Sequence, residues 1–197
     1  MDTDLIAALE DGEFHSGEEL GRVLHISRAA VWKRIERLVV SGVDVERVRG
    51  KGYRVPGGFC LLDGARLSRD LADILPVEVV LSTGSTNADV VARLRDNQGA
   101  PFALLAEHQS AGRGRRGRVW SSPFATNVYL TLGWRFDVGA PRLEGLSLAV
   151  GVAVAQALAE AGLDGVVGLK WPNDIWVGER KIGGVLIELS GDLLKDE

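Results

Sequence analysis

The chain has 197 residues, 46% of them hydrophobic, and a formal net charge of −4 at pH 7. This length suffices for one or two domains with a sizeable core. The negative net charge excludes a uniformly basic molecule, so any contact with nucleic acid needs a local basic patch. The single cysteine, Cys60, excludes an intramolecular disulfide and is typical of a reducing compartment.

No segment has the character of a targeting or membrane element. The acidic N-terminus, residues 1–14, lacks the basic and then apolar pattern of a signal peptide. The longest uncharged stretch, residues 145–159, is too short to span a bilayer and is diluted by Gly, Ala and Ser, so we expect a buried helix there. These features predict a soluble, cytoplasmic protein with no membrane contact.

Two hydrophobic periodicities divide the chain. Residues 1–55 predict three short helices followed by a hairpin, whereas residues 77–190 predict short strands that alternate with two longer helices. The breakers Pro56, Gly57 and Gly58 are typical of a linker. We therefore expect one domain over residues 1–58 and a second over residues 59–197.

Short apolar patterns and capping residues predict the three helices. Ser16 opens the second helix with Glu19 three residues later, which is a capping box, and Ser27 opens the third, which runs to about Val40. Helical spacing assigns apolar faces to the three helices in turn: Leu5, Ile6 and Leu9; Leu20, Val23 and Leu24; Val31, Ile35 and Leu38.

A basic surface follows from the third helix and the hairpin. Between Arg28 and Arg54 there are eight Lys and Arg against three Asp and Glu, and Gly-Lys-Gly at residues 50–52 predicts a tight basic wing. Two helices close together in sequence, of which the second is basic on its exposed face, are typical of a helix-turn-helix whose recognition helix binds the DNA major groove. The alternatives are a small solvated helical bundle or a wing that contacts protein. We expect DNA contacts from Ser27, Arg28, Ala29, Lys33, Arg37 and Lys51.

The first polar motif of the second segment is Ser85-Thr86-Asn87. It follows an apolar strand predicted over residues 77–81 and opens a helix predicted over residues 88–95. Taken alone, the motif is best explained as a helix cap. Its hydroxyl and amide groups also suit a neutral polar ligand group such as a urea.

The second motif, EHQSAGRGRRGRVW at residues 107–120, contains four arginines and three glycines within residues 112–118. Glycines allow unusual backbone angles and close approach to a ligand. Arginines bind carboxylate or phosphate with two parallel hydrogen bonds. An Arg/Gly stretch that binds RNA or DNA is the alternative. The position between strands predicted over residues 103–107 and 127–135 favours a loop that closes over an anionic ligand.

The third motif combines LKWPND at residues 169–174 with RKIGG at residues 180–184. Pro172 and Asn173 predict a turn between two strands, which leaves Lys170 and Lys181 at strand ends that could pair across a hairpin. A lysine on a strand is by default a solvated edge charge. Two lysines and an amide near an arginine loop suit a nucleotide site. The three histidines lack the spacing of metal ligands, so no metal site is predicted.

These motifs, in this order and approximate spacing, resemble the biotin protein ligases: STN, EHQSAGRGRRGRVWSSP, KWPND and KIGGVLIE. The N-terminal HSGEELG, SRAAVWKRIERL and GKGY resemble the bifunctional subgroup that also represses biotin synthesis genes. The resemblance covers nearly all of residues 14–191. It implies an α+β protein: a winged helix-turn-helix followed by a catalytic domain with a mixed sheet and helices, similar to class II synthetases.

The resemblance implies a two-step reaction. Biotin and MgATP give biotinyl-5′-AMP and pyrophosphate, and the biotinyl group then passes to a lysine of a biotin carboxyl carrier protein. Operator DNA is the second partner, and a ligand-linked homodimer is typical of such families. One alternative is a biotin-sensing regulator without ligase activity. Another is a lipoate-type acyl ligase, which would not explain the Arg/Gly loop together with KWPND.

The resemblance also carries residue roles onto this sequence. Biotin-binding positions are Ser85, Thr86, Asn87, Gln109, Arg113, Gly114, Arg115 and Lys181. Nucleotide-binding positions are Arg115, Arg118, Trp120, Lys170 and Asn173. The groups expected to act in catalysis are Lys181, Arg115 and Lys170.

The C-terminus departs from the family pattern, because relatives continue past the strand predicted over residues 182–189 with further strands and a small barrel. Here the catalytic domain is expected to be incomplete, ending in the polar residues 192–197. The apolar strand residues Ile182, Val185, Ile187 and Leu189 would then lack cover. The N-terminal helices should be less affected, because their core is expected to be self-contained.

We predict that the 197-residue chain self-associates or is marginally stable and transfers biotin poorly. The charged terminal residues would improve solubility but could not replace the missing strands of the sheet: Asp192, Lys195, Asp196 and Glu197. Light scattering, thermal melting and a transfer assay compare this chain with one extended by a family-type C-terminal segment. A stable monomer with equal transfer activity would contradict the expectation.

Overall fold

The computed structural model describes residues 2–96, 99–136, 143–163 and 165–190. The chain divides into two compact units, one formed by Met1–Gly112 with Val119–Trp134 and the other by Arg113–Arg118 with Arg135–Glu197. The domain boundary expected after residue 58 stays a prediction. The terminal residues to which a solubilising role was assigned lie outside the described part: Asp192, Lys195, Asp196 and Glu197.

The N-terminal part of the first unit has the predicted three helices and hairpin: α1 (Thr3–Ala8), α2 (Gly17–Val23), α3 (Arg28–Val40), β1 (Glu46–Val48) and β2 (Gly52–Arg54). Both predicted serine caps form. Ser16 Oγ accepts the Glu19 N–H at 3.0 Å, and Ser27 Oγ accepts the Ala30 N–H at 3.2 Å. Each cap satisfies an N–H group that the helix leaves without an internal partner.

The wing is fixed to the loop before α2 by its backbone. His15 N–H donates to the Tyr53 carbonyl and Tyr53 N–H donates to the His15 carbonyl, both at 2.9 Å. Only glycine fits at residue 52, because φ is +111° and a Cβ there would lie 2.0 Å from the His15 carbonyl oxygen. The predicted basic hairpin is therefore held in one position against the helices.

One expected core position of α2 is wrong. Val23 is 59% exposed, whereas Leu20 and Gly21 are buried. A Cβ at Gly21 would lie 2.8 Å from the Ile26 carbonyl oxygen, so α2 approaches the next turn through its glycine. Because of this contact, the face of α2 that packs against the core consists of residues 20, 21 and 24. Val23 lies at the edge of that face and is exposed.

The core of the N-terminal helices is not self-contained. Phe124, from the segment that follows the Arg/Gly loop, is 1% exposed and belongs to the same buried cluster. The other members come from the helices and the hairpin region: Leu5, Ile6, Leu9, Leu20, Val31, Ile35, Leu38, Val43 and Val55. A core that needs an aromatic ring from elsewhere in the chain cannot be complete within residues 1–58.

The rest of the first unit contains a mixed sheet: β3 (Val77–Val80), β4 (Phe102–Ala106) and β5 (Tyr129–Gly133). Strands β3 and β4 are parallel and are joined through α5 (Thr86–Arg95), whereas β4 and β5 are antiparallel. Every residue of β4 is buried, as expected for a central strand. A further helix, α4 (Gly64–Asp70), precedes the sheet and was not predicted.

The second unit contains α6 (Leu146–Glu160) and an antiparallel sheet of β6 (Val167–Lys170), β7 (Asp174–Val177) and β8 (Arg180–Gly184). Helix α6 was expected to be buried, but only Gly151 is buried and Leu148 and Val152 are exposed. A helix that packs on one sheet covers only one of its faces. No helix in the described ranges is long and apolar enough to cross a membrane.

The strand expected over residues 182–189 is shorter than predicted. Strand β8 ends at Gly184, which lies opposite Asp174, the first residue of β7. Val185 still pairs with the turn, since its N–H donates to the Asn173 carbonyl at 2.8 Å. The residues after Val185 extend beyond the first residue of β7, their partner strand. Their alternating apolar side chains are therefore not enough to make them part of a strand.

The shared core predicts a large effect of Phe124→Ala. Removing a buried ring should lower the free energy of unfolding by about 3 to 5 kcal/mol, because a cavity remains among the helices. Urea unfolding followed by circular dichroism measures the loss. Val119→Ala is the control, since Val119 is exposed and its truncation should cost less than about 0.5 kcal/mol. Equal losses in the two variants would contradict the assignment.

Candidate functional site

A neutral polar cluster lies after β3 in the first unit. Ser85 and Thr86 are 5% and 4% exposed, although both carry hydroxyl groups. Ser85 occupies the N-cap position of α5, but its side chain makes no capping hydrogen bond. The helix-cap interpretation, which the motif alone favoured, therefore does not hold for the Ser85 side chain.

Gln109 joins this cluster through its side-chain amide. Its Oε1 accepts the Thr86 N–H at 2.9 Å and the Thr86 hydroxyl at 3.1 Å, and its Nε2 donates to Ser122 Oγ at 3.1 Å. These contacts fix which end of the amide faces which neighbour. One Nε2 proton is used in this way, and the amide has a second proton that can serve a ligand.

Asn87 enters the same network through Thr131 on β5. The Thr131 hydroxyl lies 2.8 Å from Thr86 Oγ1 and 2.5 Å from Asn87 Oδ1, and its single proton can serve one of them. Sequence reasoning missed both Ser122 and Thr131. The alternation of β5 could have identified Thr131 as a polar side chain among apolar neighbours, whereas nothing local marks Ser122.

The base of the Arg/Gly loop is closed by a glycine. Trp120 N–H donates to the Gly112 carbonyl at 2.9 Å. A Cβ on Gly112 would lie 2.7 Å from both the Trp120 carbonyl oxygen and Ser122 Oγ. Gly112 thus permits the two ends of the loop to approach, and it places half-buried Trp120 beside the neutral cluster in the first unit.

The loop itself, Arg113–Arg118, belongs to the second unit. A short turn at Arg115–Gly117 is closed by the Gly114 N–H, which donates to the Arg118 carbonyl at 2.7 Å. Arg116 and Gly117 have φ values of +58° and +72°, so the turn needs two successive left-handed residues. All four arginines of the loop are exposed.

Two arginines of the loop have partners within the second unit. Arg115 Nη1 donates to Asn173 Oδ1 at 3.2 Å, and Arg113 Nη2 lies 3.4 Å from a carboxylate oxygen of Glu188. Asn173 is itself held by its Nδ2, which donates to the Val185 carbonyl at 2.9 Å. The Arg/Gly loop and the KWPND motif therefore meet at Arg115 and Asn173.

The expected pairing of Lys170 with Lys181 across a hairpin is wrong, because β7 lies between their strands. Lys170 is opposite Asp174, and Lys181 is opposite Trp176. Lys170 Nζ lies 4.6 Å from the centre of the Trp176 ring, and Lys181 Nζ donates to Asp174 Oδ1 at 2.7 Å. Both ammonium groups are thus positioned by side chains of the central strand.

The expected DNA-contacting residues form an exposed basic surface on α3 and the wing. All of them are exposed: Ser27, Arg28, Ala29, Lys33, Arg37 and Lys51. Three other arginines of this region are neutralised by ion pairs: Arg34 with Asp2, Arg47 with Glu36, and Arg54 with Glu46. Arg28, Lys33, Arg37 and Lys51 remain on this exposed surface, and Arg49, which sequence reasoning missed, is also exposed at the tip of the wing.

Two of the three histidines, His15 and His108, have side-chain partners. A hydrogen bond to Asp11 raises the pKa of His15, while burial lowers the pKa of His108, whose Nδ1 lies 2.9 Å from Ser82 Oγ. In the part of the chain that the structure describes, no three His, Cys, Asp or Glu side chains are grouped as metal ligands would be. The expectation of no protein-held metal site concerns the whole chain and stays a prediction.

Comparisons with known proteins match two segments of the chain. Residues 81–193 match the biotin/lipoate A/B protein ligase family, and residues 3–54 match an HTH domain. Over 189 residues the chain is 46% identical to the bifunctional ligase/repressor BirA of Salmonella typhimurium, in a match that covers 95% of this chain and 58% of that protein. The chain thus spans little more than half the length of this relative.

Solved structures of biotin protein ligase from Leishmania major are similar to 59% of this chain. The complex with biotin is 34% identical with a TM-score of 0.51, and the match covers 52% of that chain. The complex with biotinyl-5-AMP is 35% identical with a TM-score of 0.50, and the match covers 53% of that chain. Because the family match spans more than half of this sequence, the chain belongs to the biotin/lipoate A/B protein ligase family.

Proposed function

We propose that this protein activates biotin with ATP to biotinyl-5′-AMP and transfers the biotinyl group to a lysine of a biotin carboxyl carrier protein. The observation that carries the proposal is the contact between its two most specific motifs, Arg115 of the Arg/Gly loop and Asn173 of KWPND. Family membership and the Leishmania complexes with biotin and biotinyl-5-AMP support it.

The neutral cluster of the first unit suits the uncharged ring of biotin. A urea offers one carbonyl acceptor and two N–H donors, which match the hydroxyl and amide groups of Ser85, Thr86, Asn87 and Gln109. Because the Gln109 amide is already fixed by Thr86 and Ser122, little side-chain freedom is lost when a ligand binds. Burial strengthens these hydrogen bonds and makes an unpaired group costly, which favours a complementary ligand.

The charged groups of the second unit suit the reacting end of the ligand. An oxygen of the biotin carboxylate attacks the α-phosphorus of ATP, the bond to the β-phosphate oxygen breaks, and pyrophosphate leaves. Two anions approach each other in this step, so preorganised cations lower its barrier. We assign this role to Arg115, Lys170 and Lys181, with Arg113 and Gly114 completing the loop that closes over the biotinyl end.

The nucleotide is assigned to Arg115, Arg118, Trp120, Lys170 and Asn173. Trp120 offers an aromatic face for the adenine ring, and the others offer charge or hydrogen bonds to phosphate and ribose oxygens. Mg²⁺ would bind together with ATP, as part of the substrate, and would neutralise charge on the phosphate oxygens. In the second step the carrier lysine amine attacks the acyl carbon and AMP leaves, so this chain need not supply a nucleophile of its own.

The N-terminal helices are proposed to bind operator DNA and repress biotin synthesis genes. The match of residues 3–54 to an HTH domain and the exposed basic face of α3 support this. A ligand-linked homodimer would place two such faces on two half-sites. A regulator without ligase activity is not favoured, because the family match includes every residue assigned here to biotin and nucleotide.

We predict that Arg115→Ala releases biotinyl-5′-AMP faster than the unchanged protein. A charged hydrogen bond contributes about 1.5 to 3 kcal/mol, so the dissociation rate should rise roughly 10- to 100-fold while folding is unaffected. Stopped-flow release of biotinyl-5′-AMP gives the rate. Arg116→Ala in the same turn is the matched control and should retain the ligand. Unchanged retention in Arg115→Ala would remove this arginine from the site.

For DNA, we predict that neutralising Lys33, Arg37 and Lys51 together lowers both affinity and salt dependence. Each lost phosphate contact should reduce the slope of log K against log salt by about 0.9. The probe is a duplex selected from a random-sequence library by the unchanged protein. The control neutralises Arg66 and Arg69 of α4. If the triple variant kept its affinity and its slope, the DNA assignment would be wrong.

A further inference from the structure

A large apolar side chain lies on the exposed part of α3. Trp32, the fifth residue of this helix, is 50% exposed. It has no role in the proposed function, although Arg28, Ala29 and Lys33 around it are assigned to DNA. Among the described residues, its indole takes part in no hydrogen bond and in no contact with another ring or with a cation. The exposed part of the ring is therefore available to a partner.

The residues one turn before and one turn after Trp32 define its place on the helix. Residues four apart lie on the same side of an α-helix, so Trp32 lies in a row between Arg28 and Glu36. At one end of this row, Glu36 forms an ion pair with Arg47 of β1 at 2.5 Å. At the other end, Arg28 Cγ and the Tyr53 ring of β2 lie 3.4 and 3.5 Å from where a Cβ would stand on the glycine that begins α2. Trp32 therefore lies on the side of α3 next to the hairpin, between the two parts proposed to contact DNA.

The charges around Trp32 favour nucleic acid over a second copy of the chain as its partner. Arg28 and Lys33 are exposed beside it. Glu36, the one acidic residue of α3, is neutralised by Arg47. Two copies of this surface would bring cations against cations, which opposes their association. The phosphate groups of DNA attract such a surface.

An apolar ring at this position suits one group of the major groove in particular. Base edges present hydrogen-bond donors and acceptors there, and the 5-methyl group of thymine is the apolar group among them. The N-terminal residues of a recognition helix are those that contact base edges, and Trp32 lies in the second turn of α3. Contact between the indole and a methyl group removes apolar surface of both from water.

We infer that Trp32 recognises thymine in the operator through an apolar contact between its indole ring and the 5-methyl group of the base. The inference rests on the proposed function, since it requires that α3 enters the major groove. Phosphate contacts position the helix without distinguishing sequences, whereas this contact makes Trp32 a specificity-determining residue. Loss of the methyl group and loss of the ring remove the same contact, so their effects on affinity should not add.

The test removes the methyl group and the ring separately. The probe is the duplex that the unchanged protein selects from a random-sequence library, with each thymine in turn replaced by deoxyuridine, which lacks only the methyl group. Fluorescence anisotropy measures binding with saturating biotin and MgATP present, so that a ligand-linked homodimer can form. Replacement of one particular thymine should weaken binding by the unchanged protein about fourfold, the effect of burying one methyl-sized group.

Trp32→Ala should bind the thymine duplex about fourfold more weakly or worse, and should bind the deoxyuridine duplex equally well. Trp32→Phe keeps an apolar ring and should still distinguish the two duplexes. Val40→Ala is the matched control, because it removes another exposed apolar side chain at the far end of α3. It should leave both affinities unchanged. Circular dichroism checks that each variant retains its helices.

Three results would overturn the inference alone. One is the absence of any effect of deoxyuridine on the unchanged protein. Another is an equal loss of affinity for both duplexes in Trp32→Ala, which is expected if the ring contacts the sugar-phosphate backbone. The last is unchanged affinity in Trp32→Ala, with a lower mass in light scattering if the ring joins two copies. Failure of the unchanged protein to select any duplex would overturn the proposed DNA-binding function as well.

Discussion

The burial of Phe124 is the packing interaction on which the core of the N-terminal helices depends. The three N-terminal helices are short, and helices of six, seven and thirteen residues have few apolar positions with which to build a core. The aromatic ring fills the space between them. Its insertion fixes the backbone of the preceding residues, so that Ser122 is held beside Gln109 and the polar cluster after β3.

The two units differ in the polar groups that they contain. In the first unit, the amide of Gln109 and the hydroxyls of Thr86, Ser122 and Thr131 form a network without a formal charge. In the second unit, arginine and lysine side chains are oriented by Asn173, Asp174 and Trp176. Each set suits ligand groups of its own polarity, because a mismatched polar or charged group would be buried without a partner.

Several elements could be predicted from local sequence because their causes are local. Ser16 and Ser27 cap helices through bonds to residues three positions away, and the Gly-Lys-Gly tip needs glycine for its own backbone angles. Helix α4 was missed, since its short sequence has no buried face to produce a periodic pattern. Strand β8 was predicted too long, because the end of its partner strand is not visible in its own residues.

The sequence by itself determined the family, most of the elements in their order and the residue types of the site, because motif spacing and apolar periodicity are properties of neighbouring residues. Only the tertiary structure decided that Lys170 and Lys181 flank a central strand instead of facing each other. It also decided that Ser122 belongs with Gln109, and that Phe124 completes a core formed from the first 55 residues. These contacts join positions far apart in the chain, and their partners are selected by packing that no local pattern encodes.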